Sequence, residues 1–176
     1  EHLLHLRCEL PARDMPGLLE GVADHPLIAM VSLMDHSPGV GQYRDLARYR
    51  AMRIKQTRMT DAEVEIRILK LQAQRAELRE RQRRLVIDRF AGRNIPFASH
   101  DDEDASEVRR NAEDGIRVSE FPVTMEAALE AARIGVGVIA GSPNIVRGGS
   151  HSGNVAAMDL VRAGAVHVLA SDYVPP

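Results

Sequence analysis

The chain has no tryptophan, and aromatic residues make up only 3% of its 176 positions. That excludes a platform of stacked aromatic rings as its main recognition device. It has one cysteine, Cys8, so no internal disulfide can form, and a reducing, cytoplasmic location is expected. No apolar run approaches the length of a membrane span, and no membrane partner is expected. Charge of one sign does not dominate either. The net charge is −2, which excludes a globally basic nucleic-acid binder but leaves room for a local basic patch. Nucleic acid is accordingly not expected as a partner, and a homo-oligomer is compatible with the composition.

What is present suits a packed domain, with 44% hydrophobic and 27% charged residues. Short apolar runs at 3–10, 27–34, 95–99, 116–119, 136–140 and 166–170 alternate with helical stretches. The run at 27–34 is nearly continuous, as in a strand covered on both faces. Thr124 is placed to cap a helix that Gly135 closes, a second helix is expected over 103–114 before Gly115, and a third over 152–163 before Gly164. Alternating strands and helices predict βα units and a parallel sheet with right-handed crossovers. The first strand is under way by residue 3 and the last is followed by only six residues, so an internal piece of a longer chain is expected.

The stretch 43–93 is too long for an ordinary connection. Thr60 and Glu63 form a capping-box pattern that predicts a helix from Asp61. Residues 41–93 hold 15 Lys/Arg against 7 Asp/Glu, leaving 8 basic against 18 acidic residues in the rest of the chain. One reading of this split is a solvated helical hairpin. The other is a basic arm over a polyanionic substrate, or a subunit contact.

In parallel α/β folds, functional groups gather where strands end. Here those positions carry Glu9, Asp35–His36, His100–Asp101–Asp102, Glu120, Ser142–Pro143–Asn144 and Asp172. Carboxylates and imidazoles meeting at one rim suit a divalent metal, which could lower the pKa of a bound water to about 7. His36 and His100 are the imidazole candidates, Glu9 could bridge two ions, and Asp172 could ligate or act as general base. The glycine- and hydroxyl-rich stretch 141–154 suits an anionic oxygen group, with Arg147 adding a bidentate contact. It is neither a Walker A loop nor a dinucleotide fingerprint. Cys8 points to the opposite face from Arg7 and Glu9 and reads as a small buried residue, while His2, His5 and His167 read as packing or surface residues.

Segments 5–10, 32–39, 98–102, 120–122, 143–154 and 171–173, in that order, resemble the diphosphatases of the carbon–phosphorus lyase pathway. These are metal-dependent hydrolases of the amidohydrolase superfamily, built on (β/α)8 barrels. The block 147–154 is the most specific part. The resemblance implies an α/β fold, a partial (β/α)8 barrel over 1–176 that supplies strands three to eight, with a helical insertion at 43–93. It implies a hydrolase of phosphonate catabolism that removes pyrophosphate from a small-molecule ribose 5-triphosphate bearing a phosphonate. It also implies divalent metal (zinc, manganese or magnesium) at Glu9, His36, His100 and Asp172. Arg147, Gly148, Gly149, Ser150, His151 and Asn154 would face phosphate or phosphonate groups. Counted back from the last strand, His36 and His100 fall on strands four and five, whereas the superfamily more often uses five and six. One strand outside the barrel, between His100 and Asp172, would reconcile the two. The alternatives are an amidohydrolase acting on an amide or amidine, and a non-catalytic binding module that uses the basic hairpin. An open arc leaves two unpaired edges, so the piece alone is expected to be unstable or inactive.

Overall fold

The computed structural model describes residues 2–150 and 152–172. Six strands, β1 (Leu4–Glu9), β2 (Ile28–Met34), β3 (Phe97–His100), β4 (Val118–Glu120), β5 (Gly137–Gly141) and β6 (Val168–Ala170), form one sheet. Every pair is parallel, and the strands lie side by side in chain order. A doubly wound sheet reverses its order at a switch point, whereas unbroken order is that of a (β/α) barrel. The architecture is therefore α/β and consistent with a partial barrel. Both β4 and β5 sit between β3 and β6, so the strand outside the sheet that would have reconciled the histidine positions does not exist among the described residues.

Helices α1 (Met15–Glu20), α2 (Leu46–Thr57), α3 (Asp61–Arg89), α4 (Ala105–Glu113), α5 (Met125–Arg133), α6 (Ser142–Arg147) and α7 (Ala157–Arg162) occupy the connections. Their starts follow from local chemistry. Asp45, Asp104 and Thr124 each accept a backbone N–H of the first turn, and Thr60 with Glu63 closes a reciprocal capping box at α3.

The stretch 43–93 does two jobs. Tyr49 of α2 and Val64 and Ile68 of α3 bury one another in a small core of their own. The far end of α3 instead sends Val86 down, with Phe90 just beyond it, against Leu10, Ile28, Val31 and Leu33 of the sheet region. The second half of α3 is thus the β2–β3 crossover helix, and only α2 and the first half of α3 project as an arm.

Two local expectations change. The helix expected over 152–163 is only Ala157–Arg162, because Gly153 turns left-handed (φ +77°) and Val155 N–H is drawn to Val123 O at 3.1 Å. The expected glycine loop instead begins as helix α6, with Pro143 in its first turn and Gly148 (φ +81°) ending it.

Alternation on β1 puts Leu6 and Cys8 against the helices and His5, Arg7 and Glu9 on the other face. Burial pushes the Cys8 thiol up to about 11. A thiol reagent at pH 8 is therefore expected to leave the native chain unlabelled and to modify one cysteine once the chain is denatured. Because the folded thiol holds its proton longer than the unfolded one, stability should fall as pH rises from about 9 towards about 11. Rapid native-state labelling would contradict the buried placement.

Candidate functional site

The site starts at the carboxyl ends of β1, β2 and β3. Glu9 ends β1 beside Met34, and the chain beyond β2 turns so that His36 faces it. Both oxygens of Glu9 serve His36: Oε1 accepts its backbone N–H at 2.8 Å, and Oε2 lies 2.6 Å from Nδ1. The ring is thereby held with Nε2 directed elsewhere, 3.8 Å from Asp101 Oδ2. Burial alone would lower the His36 pKa. The Glu9 hydrogen bond and the Glu9 and Asp101 charges outweigh that and hold it above its ordinary value.

His100 ends β3 with its side chain only 4% exposed. Its ring meets His36 and Phe121 edge-on at 5.1 and 5.4 Å between centroids. Arg7 Nη2 donates to His100 Nε2 at 2.8 Å. His100 Nδ1 is buried and makes no hydrogen bond, although Asp101 Oδ2 lies 3.2 Å away. Asp101 itself holds φ +58°, an uncommon conformation for a residue with a side chain. Its N–H donates to Glu120 O at 2.9 Å, and its Oδ2 accepts from Gln42 N–H at 3.3 Å. Gly41 backs against it so closely that an added Cβ would stand 2.9 Å from Asp101 Cβ. Only glycine permits that approach.

One atom from each of His36, His100 and Asp101 lies within 4.8 Å of the others. Two imidazoles and a carboxylate form a donor set that fits a divalent cation. Asp172 is not one of these three. It lines the adjoining cavity at φ +52°, with Oδ1 3.7 Å from Arg7 Nη1, so Arg7 connects it to His100.

That cavity, about 450 Å³, runs from the cluster to the loop after α6 and includes Arg7, His36, His100, Asp101 and Asp172 in its lining. Of the residues expected to face phosphate, Arg147, Gly149, Ser150 and Asn154 line it too. Gly148 ends α6 instead, and His151 lies outside the described residues. Asn144 Oδ1 accepts Ala157 N–H at 2.9 Å and ties the far end of this loop back to α6.

Arg7 and Asp101 stand at strand ends in the sequence, but sequence reasoning did not single them out as site residues. Arg7 had a usable signal, since it shares the β1 face with Glu9. Asp101 had none that distinguished it from its neighbour Asp102, which turns the other way and accepts from Ser99, Ser119 and Asn111. Burial raises the Asp102 pKa against those hydrogen bonds. His5 and His167 have structural partners. His5 Nε2 lies 2.5 Å from Ser32 Oγ, which donates to buried Glu120, and His167 Nδ1 accepts Val138 N–H at 3.1 Å.

A parallel α/β sheet in barrel order, with imidazoles, carboxylates and a glycine-rich loop at its carboxyl rim, is the arrangement of barrel enzymes. The chain is 41% identical, over 175 residues, to the alpha-D-ribose 1-methylphosphonate 5-triphosphate diphosphatase of Escherichia coli (strain K12). The match takes in 99% of this chain and 46% of that protein, so the chain spans about half the length of its relative. It bears out the resemblance drawn from the strand-end segments. No protein-family model and no solved structure matches the chain. Among the described residues, no helix is long and apolar enough to cross a membrane.

Proposed function

We propose that this chain carries the cation- and phosphate-holding side of a diphosphatase of the amidohydrolase superfamily, its strands being three to eight of the barrel. The reaction is hydrolysis of α-D-ribose 1-methylphosphonate 5-triphosphate to the 5-phosphate and pyrophosphate, in cytoplasmic phosphonate catabolism. One observation carries this reading: the His36–His100–Asp101 cluster and the 147–154 loop open on the same cavity. The E. coli relative supports the choice of substrate.

His36, His100 and Asp101 would hold a divalent cation, which when bound activates a water and neutralises charge on the phosphoryl group. Glu9 keeps the His36 ring oriented through its two hydrogen bonds. Arg7 and Arg147 present guanidinium groups to phosphoryl oxygens, a geometry suited to paired hydrogen bonds. Asp172 accepts the proton of the attacking water. The water oxygen bonds to the α-phosphorus, the bond from that phosphorus to the bridging oxygen breaks, and pyrophosphate leaves with the electron pair. The loop and both arginines favour a phosphoanhydride over an amide, because they supply cations and the polar side chains of Ser150, Ser152 and Asn154 where an anion needs them.

The test uses the full-length protein with zinc, manganese or magnesium and the ribose triphosphate phosphonate. Pyrophosphate release that a chelator stops is the expected result. A folded, metal-loaded protein that releases none would overturn the reading.

A further inference from the structure

We infer that Arg48, carried on α2 of the basic arm, is a substrate-binding residue that receives the outer phosphates of a polyphosphate chain. Arg48 meets the loop at Gly153. This glycine holds φ +77°, and the Arg48 guanidinium lies directly against it, in the space a Cβ would take. The backbone conformation favours glycine at this position, and the missing side chain leaves the room that Arg48 occupies. Gly153 sits between Ser152 and Asn154, both of which line the cavity. Arg48 therefore reaches the loop at the point where it borders the cavity.

The contact belongs to a continuous wall. Gly41 N–H donates to Glu103 Oε1 at 2.6 Å and Gln42 N–H to Asp101, which fixes the start of the arm to the cation cluster. Asn154 Nδ2 donates to Gln42 O at 3.4 Å, which joins the arm to the loop. Arg48 follows in the first turn of α2, its backbone N–H accepted by the cap residue Asp45.

The charge of Arg48 is left for a ligand. Arg50 on the same helix pairs with Glu65, and Arg75 and Arg79 pair with Asp35. Among the described residues the Arg48 guanidinium has no carboxylate partner and lies instead on the backbone of a glycine-rich loop. A guanidinium without a carboxylate partner, set on a loop that borders a cavity lined by two further arginines, is the chemistry that holds phosphate. The cavity already places Arg7 beside the cluster and Arg147 at the start of the loop. Arg48 extends that row of cations outward, where the phosphates of the leaving group would lie. The basic arm thus recognises the length of the phosphate chain. The identity of the natural substrate rests on the diphosphatase reading; the preference for polyphosphate does not.

The experiment is calorimetric binding to the full-length protein, with inorganic tripolyphosphate, pyrophosphate and orthophosphate as probes. Arg48→Met is expected to weaken tripolyphosphate binding by about tenfold or more, as loss of a charge-assisted contact does, and to leave orthophosphate binding nearly unchanged. Arg48→Lys should fall between the two. Lys55→Met, which removes a cation from the same helix away from the loop, should bind as wild type does. Circular dichroism and melting temperature show whether each variant is folded. Equal losses in Arg48→Met and Lys55→Met would mean diffuse charge and overturn the inference. So would unchanged tripolyphosphate binding in Arg48→Met, or a wild-type protein that does not bind the probe. Selective loss in Arg48→Met without pyrophosphate release by wild type would sink the diphosphatase reading and leave Arg48 standing.

Discussion

Asp172→Asn is expected to lower kcat for pyrophosphate release by about 10²- to 10⁴-fold while the protein keeps its cation, the usual scale for losing a general base. Asparagine has nearly the same size and shape, so the turn at the end of β6 should survive. It also tolerates a left-handed backbone, as the φ of +52° requires. What it cannot do is take a proton. The amide also carries no charge to balance Arg7, whose Nη1 lies 3.7 Å from the present carboxylate. The measurement is kcat alongside metal content by atomic absorption. Loss of the metal in this variant would make Asp172 a ligand instead. Unchanged kcat would remove it from the proton-transfer step.

Asp101→Asn should have the opposite signature. Removing a group that merely orients a metal ligand costs about 10- to 100-fold in metal affinity, so removing a ligand should cost at least about 100-fold. Activity should then return in part at high metal concentration. The choice of asparagine matters again, because Asp101 sits at φ +58° and its backbone is pinned by Glu120 O and crowded by Gly41. An alanine would introduce strain as well as remove the carboxylate. His100→Ala should match it, because His100 supplies one of the three donor atoms of the cluster. Glu9→Gln, which leaves a neutral partner for His36 Nδ1, should cost only the smaller, orienting amount. Competition with a chromophoric chelator measures all of these. Metal retained in Asp101→Asn and lost in Asp172→Asn would restore the ligand set read from the sequence.

The two aspartates differ in how much of their role could be seen in advance. Asp172 follows an apolar run and stands at a strand end, so it drew attention as a site residue. Asp101 is one of two adjacent aspartates, and nothing local tells them apart. The left-handed turn separates them: Asp101 faces the histidines, and Asp102 turns back under Ser99 and Ser119. That turn is held by groups some 20 and 60 positions away, Glu120 and the Gly41–Gln42 backbone.

By itself the sequence determined what depends on near neighbours. The six strands, their alternation with helices, the caps at Thr60 and Thr124 and the rim positions of His36 and His100 follow from periods of two and from residues three apart. Alternation also put Arg7 on the same face as Glu9. Only the tertiary structure decided the rest. It made half of the basic stretch a crossover helix, because Val86 and Phe90 meet the sheet while Tyr49, Val64 and Ile68 meet one another. It gave His36 both oxygens of Glu9, put Arg7 between His100 and Asp172, and laid Arg48 on Gly153. The contacts of Glu9 with His36, of Arg7 with His100 and Asp172, and of Arg48 with Gly153 join residues separated by 27 to 165 positions. Local propensity carries no information at that range. The packing of strands and helices sets those distances, and the chemistry of the site depends on them.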